Sequence, residues 1–237
     1  MKDKVRSYYD AFSSTYDNER FDNYHVFLDD SEVNAVKEFL QDKVVLEVGC
    51  GTGLILQRLK RHCKDCIGVD LSSGMLSKAK KRGFDCIQAD ATSLPFRDES
   101  FDCVVCFKVL PHIPDVKSAI HEITRVTKKG GLVALEFYNS QSLRYLVKRI
   151  KPASKVAKSV SDKDVFTKYH SPKGMLASLP KNLEVIKMHG IRVFLPTAYL
   201  MKVPVLSSAL LRLETWCSST PLGMFGGFMV VVARKGF

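Results

Sequence analysis

The stretch Val44-Val45-Leu46-Glu47-Val48-Gly49-Cys50-Gly51-Thr52-Gly53 decides the fold. Its β-branched and aliphatic run, over 43–48, predicts a strand. Glycines at every second position beyond it let the backbone turn sharply and come close to a ligand where a side chain would collide. A dinucleotide turn would carry its third glycine one residue later, for close helix packing. That position is Leu54, which speaks against a nicotinamide-dependent oxidoreductase. Working outward, strands are expected at 66–69, 84–88, 101–107 and 132–138, and helices at 54–61, 72–81 and 116–127, with Ser72 capping the second. Upstream, helices are expected at 3–18 and 30–41, with Ser31 as N-cap ahead of Val33, Val36, Phe39 and Leu40. Strands alternating with helices imply an α/β fold, a mostly parallel sheet covered on both faces, with ligands at the carboxyl ends of its strands.

Beyond Tyr138 the pattern loosens. A helix is expected at 141–150, loop at 151–170, and a helix at 171–179 opened by Ser171-Pro172. Strands follow at 183–187 and 191–194 with an interruption at Gly190. An apolar, proline-punctuated connection is expected over 196–223 and a β-prone terminal strand at 227–233.

The 237 residues are 46% hydrophobic and 26% charged, which excludes disorder, collagen and coiled coil. The opening residues carry no apolar run of the kind a signal peptide needs. The uncharged stretch 215–233 contains Pro221, Gly223, Gly226 and Gly227 and makes a poor membrane span. A cytoplasmic protein is expected, with peripheral attachment at a membrane surface open. Cys63/Cys66 and Cys103/Cys106 have the spacing of zinc ligands, but positions three apart in a strand point to opposite faces, so no metal is expected. The net charge of +11 is uneven: residues 1–42 are acidic, 43–138 are nearly neutral, and 139–237 are strongly basic. That localised field suggests an anionic partner, a membrane surface or RNA, at the carboxyl-terminal region.

Further motifs follow the glycine stretch in order. Gly68-Val69-Asp70-Leu71-Ser72 ends the second expected strand. Gln88-Ala89-Asp90-Ala91-Thr92-Ser93-Leu94-Pro95-Phe96 follows the third. Ser100-Phe101-Asp102 opens the fourth, with Leu110-Pro111-His112-Ile113-Pro114 beyond it, and Arg125-Val126-Thr127-Lys128-Lys129-Gly130-Gly131 precedes the fifth. Together these five resemble the class I S-adenosyl-L-methionine (SAM)-dependent methyltransferases, in the type 11 and ubiquinone–menaquinone methyltransferase-like group. Tyr8-Tyr9-Asp10-Ala11-Phe12-Ser13-Ser14-Thr15-Tyr16-Asp17 is similar to the family's amino-terminal helix, whose tyrosine lies over the methionine end of the cofactor.

The resemblance implies a doubly wound, Rossmann-like, seven-stranded sheet with an antiparallel last strand. It also implies a helical cap at 1–42, a SAM-binding core at 43–138, and a remainder at 139–237 with substrate-side insertions at 139–175 and 195–223, all in one structural domain. SAM would be the cofactor and S-adenosyl-L-homocysteine the product. Gly49, Cys50, Gly51 and Gly53 would pass beneath it, with Glu47 ordering the turn or the methionyl amine. Asp70 would hold the ribose, Leu71 and Met75 would touch adenine, Asp90 and Ala91 would face it, and Tyr16 and Phe107 would complete the set. A hydroxyl acceptor needs a base, for which His112, Tyr138 and His170 are the candidates. The expected acceptor is small or lipid-like; an RNA-modifying methyltransferase and a non-catalytic SAM-binding module are the alternatives. In the helix from 141, Leu143, Leu146, Val147 and Ile150 share one face, and Arg144, Lys148, Arg149 and Lys151 lie elsewhere. That is the pattern of a helix lying on a membrane and equally of one packed on its own core, and packing is the expectation.

Overall fold

The computed structural model describes residues 2–20, 22–150, 155–157, 160–161, 166–195 and 204–237. Its strands are β1 (Val44–Val48), β2 (Asp65–Asp70), β3 (Cys86–Gln88), β4 (Phe101–Cys106), β5 (Thr127–Asn139), β6 (Lys155–Ala157), β7 (Val160–Ser161), β8 (Tyr169–His170), β9 (Leu183–Ile191) and β10 (Phe228–Lys235). The helices are α1 (Lys2–Phe12), α2 (Asn23–Asn34), α3 (Leu54–Leu59), α4 (Ser73–Lys81), α5 (Val116–Val126), α6 (Leu143–Ile150), α7 (Pro172–Ala177) and α8 (Pro204–Cys217).

The main sheet runs β3-β2-β1-β4-β5-β10-β9, and β10 is antiparallel to both neighbours. This is the expected mostly parallel, Rossmann-like sheet, with β8 added beside the end of β5 as an eighth strand. β1 lies between β2 and β4, so strand order reverses around it and a crevice opens at its carboxyl end. Buried on both faces, β1 is almost wholly apolar. Val45 joins the core layer under α2 and α3, Leu46 and Val48 join the layer under α5, and Glu47 faces the first of these. α5 buries Val116, Ala119, Ile120, Ile123 and Val126 as one stripe behind its Asp115 cap.

Several expectations shift. α2 begins at Asn23 because the Asp22 carboxylate accepts from His25 N; Ser31 sits inside the helix and donates to Phe27 O. The 151–170 stretch, expected as loop, contains the β6–β7 ribbon and β8. β9 runs unbroken through Gly190, where a Cβ would lie 1.9 Å from the Gly223 carbonyl oxygen. Glycine there serves close backbone approach within the strand. Within the expected connection 196–223, residues 204–217 form α8, with proline at its first position, where the missing N–H costs nothing. Positions 196–203 and Lys151 lie outside the described residues.

Candidate active site

The carboxyl ends of β1, β2 and β4, roofed by α1, enclose a cleft of about 300 Å³. Its floor is the turn after β1. Gly49 has φ +80°, and a Cβ there would lie 2.0 Å from Val109. Gly51 has φ +53° with nothing within 4 Å of where its Cβ would be, so the backbone faces open space. Asp70, ending β2, ties this turn down. Its Oδ2 accepts from Gly51 N and its Oδ1 from Ser72 N, each at 2.8 Å. Burial pushes the Asp70 carboxyl up, with the N–H donors pulling the other way. Asp90 shapes the neighbouring turn by accepting from both the backbone N and the hydroxyl of Thr92 at 2.8 Å.

Two acids strap the amino-terminal segment over the cleft. Asp10 Oδ1 accepts from Ser72 Oγ at 2.6 Å and Gly74 N at 3.0 Å, so α1 docks on the amino end of α4. Asp17 accepts from Thr52 Oγ1 at 2.7 Å and Arg82 at 2.8 Å, locking the segment onto the glycine turn. Burial alone would raise the Asp17 carboxyl, but the bonds from Arg82 and Thr52 outweigh it and hold it below the usual range.

A charged cluster closes the far end. Lys108 follows β4 with φ +60°. Its Nζ lies 2.8 Å from Asp29 Oδ1 and 2.8 Å from Glu32 Oε1, and Arg20 also pairs with Asp29. Glu47 is 2% exposed, its Oε2 has no hydrogen-bond partner, and burial, with the nearby Glu32 carboxylate, pushes its carboxyl well up. His112 stands at the opposite wall. Its Nδ1 lies 2.9 Å from the Phe166 carbonyl oxygen, and its ring meets Tyr138 edge-on at 5.7 Å. A carbonyl only accepts, so Nδ1 carries the proton and Nε2 keeps its lone pair in the neutral ring. Burial holds the His112 pKa below the usual histidine value.

Tyr16, Glu47, Gly49, Cys50, Gly51, Asp70, Leu71, Met75, Asp90, Ala91, Phe107, His112 and Tyr138 thus come together around one cleft. Gly53 and His170 do not line it. Gly53 begins α3 with φ +85°, and its missing Cβ leaves room for Phe84 and Ala79. His170 packs against Phe137, which points to the other face of the sheet. Tyr9, Arg20, Glu32 and Lys108 line the cleft but were not singled out from the sequence. A charge placed directly after an apolar strand, as Lys108 is, was the available signal; Arg20 and Glu32 follow no periodicity. Cys103 and Cys106 sit in opposite core layers, and among the described residues no group of three or more His, Cys, Asp or Glu is arranged to hold a metal.

Residues 46–135 match the model of a methyltransferase domain family. An uncharacterised protein of Methanocaldococcus jannaschii is 34% identical over 134 residues, which are 56% of this chain and 62% of that protein. A demethylmenaquinone methyltransferase of Corynebacterium urealyticum is 30% identical over 130 residues, 52% of this chain and 56% of the relative. This chain therefore spans about three fifths of the length of the curated relatives it matches. In fold it is similar to the crystal structure of a SAM-dependent methyltransferase of Thermotoga maritima, with a TM-score of 0.69 at 24% identity over 97% of this chain and 99% of that one. Residues 46–135 thus match a methyltransferase domain, and the chain as a whole has the fold of a SAM-dependent methyltransferase structure. The residues present fit that cofactor: the open space over Gly51 admits a close-lying ligand, and the unpartnered buried Glu47 Oε2 suits an ammonium group.

Proposed function

We propose that this protein transfers the methyl group of SAM to a small, lipid-like acceptor, with His112 as general base when the acceptor is a hydroxyl. The observation that carries the reading is a single cleft holding both the glycine turn and, across an aromatic wall, an imidazole with its Nε2 lone pair unprotonated. Bound SAM supplies an already activated methyl, so transfer needs alignment and exclusion of water more than further activation. Asp70 would hold the ribose hydroxyls, Asp90 and Ala91 the adenine, Glu47 the ammonium, and Arg20 the carboxylate. Tyr9, Phe12 and Tyr16 on the roof keep water from the reacting atoms. His112 takes the acceptor's proton onto Nε2 while the Phe166 carbonyl fixes the ring through Nδ1.

The quinone-methylating relative supports an aromatic acceptor with an apolar tail. The basic region 139–237 supports an additional anionic partner. Calorimetry with SAM, S-adenosylhomocysteine and NAD, followed by label transfer from SAM to a prenylated naphthoquinol or to bulk RNA, tests this. Binding of the sulfur compounds alone with labelling of the quinol is expected. Labelling of RNA alone would make the protein an RNA methyltransferase, and binding without any transfer would favour a non-catalytic module.

A further inference from the structure

α6 is built inside out. The helix docks through its polar and aromatic positions: the Arg144 guanidinium lies 4.8 Å from the Phe228 ring centre and 5.0 Å from that of Tyr138, and the rings of Tyr145 and Tyr169 are 4.8 Å apart. Two of its aliphatic positions face outward instead, with Leu143 exposed and Leu146 54% exposed, while Val147 is half-buried. At Leu143 and Leu146 the expectation that this face packs on the protein's own core is therefore not met. Asn139, four residues before Leu143, donates from Nδ2 to the carbonyls of Met224 and Gly226, which brings the 310 turn Pro221–Phe225 to the same rim. That turn exposes Leu222, Met224 and Phe225. α8, whose end packs against the turn, exposes Leu213 and the chain's single tryptophan, Trp216, at 64%. Monomeric soluble proteins rarely leave so many large apolar side chains together without a partner.

The charges nearby have one sign. Lys148, Arg149 and Arg212 are exposed. Of the two carboxylates among the described residues of 139–237, Glu184 pairs in register with Arg234 at the far end of β9. Glu214 is buried, accepting from Val193 N and Phe194 N. Exposed Trp, Phe and Leu set among lysines and arginines suit the boundary between acyl chains and anionic headgroups. No helix among the described residues is long and apolar enough to cross a membrane, so such a contact would lie along the surface. Tyr138, which lines the cleft, immediately precedes Asn139, so this rim borders the cleft.

We infer that α6, the 221–225 turn and the outer face of α8 form one docking surface for a bilayer carrying anionic lipid. The inference goes beyond methyl transfer and does not depend on it, because vesicle binding is read without SAM or acceptor. Trp216, as the only tryptophan, is the probe. The full chain is titrated with phosphatidylcholine vesicles with and without about one third phosphatidylglycerol, following the Trp216 emission maximum and its quenching by brominated acyl chains, with co-sedimentation in parallel. A blue shift, quenching and pelleting are expected with the anionic vesicles alone, reversed by about 0.5 M salt as screening shortens the reach of the charges. Lys148→Glu and Arg149→Glu each weaken binding at least about fivefold, the effect of losing one basic charge near such a surface. Phe225→Asp abolishes the quenching while leaving circular dichroism unchanged. An emission maximum indifferent to anionic vesicles overturns the inference. So does a blue shift that grows with protein concentration without lipid, which assigns the surface to a second copy of the chain, or one produced by RNA alone.

Discussion

One carboxylate, Asp70, joins two backbone turns, accepting from Gly51 N on one side and Ser72 N on the other. Asp70→Ala therefore removes the proposed ribose partner and loosens the glycine turn it ties down. SAM affinity measured by calorimetry should fall by roughly 1.5–3 kcal/mol, the range for bonds to a charged group, and an unchanged affinity would remove Asp70 from the site. His112 gives a prediction with a pH sign. Because burial holds it neutral below the usual histidine range, kcat for a hydroxyl acceptor should be flat across neutral pH and decline only as the solution becomes acidic enough to protonate Nε2. His112→Asn should lower kcat by about 10²-fold or more and erase that acidic limb; a variant that keeps the limb would place the titrating group elsewhere. The glycines and Asp70 were legible because their spacing is local. Lys108 and Glu32 were not, because their relevance comes from facing each other across 76 positions.

α1 is a roof held by straps. Asp10 supplements Ser72 at the start of α4, and Asp17 reaches Thr52 and Arg82. Asp17→Ala should leave the sheet's circular dichroism intact, speed amide exchange over 2–19, and weaken SAM several-fold; exchange as slow as in the parent would show that the strap holds nothing. Gly49→Ala tests the floor. The new methyl would meet Val109 and must also sit at φ +80°, so this substitution should cost more than an ordinary surface change and abolish SAM binding. Elements whose signals are local, such as α4 behind Ser72 and α5 behind Asp115, were readable. α8 was not, because a proline that opens a helix and one that breaks a chain look the same in sequence. The unbroken β9 was missed for a related reason: Gly190 accommodates a neighbouring backbone 33 positions later.

For the whole molecule, two sets of carboxyls oppose each other with pH. Asp17, Asp102 and Glu122 are held below the usual range: Asp17 and Asp102 despite burial, by donors including Arg82 and Lys128, and Glu122 chiefly by Arg125. Their contribution is present above the unfolded carboxylate range and lost as pH falls through their folded values. Glu47 and Glu136 are raised, first by burial and then by Glu32, so their contribution is lost as pH rises past the unfolded value. Glu136→Gln removes one buried acid. It should raise the thermal midpoint at pH 8 by about 2–4 °C, about 1 kcal/mol for a chain this size, and change little near pH 4. Equal midpoints at pH 8 would mean that Glu136 bears no cost of ionisation.

Over 43–138 the order of strands and helices, the glycine turn and the acids at the strand ends were determined by the sequence alone, since each depends on short-range periodicity and on backbone freedom at single residues. Only the tertiary structure decided that Gly53 packs a helix, that His170 lies behind the sheet, and that Arg20, Glu32 and Lys108 share the cleft with Glu47. It alone decided which face of α6 turns outward. An amphipathic period states that a helix has two faces, and which one is buried depends on the aromatic rings of Tyr138, Tyr169 and Phe228 that distant strands bring beneath it.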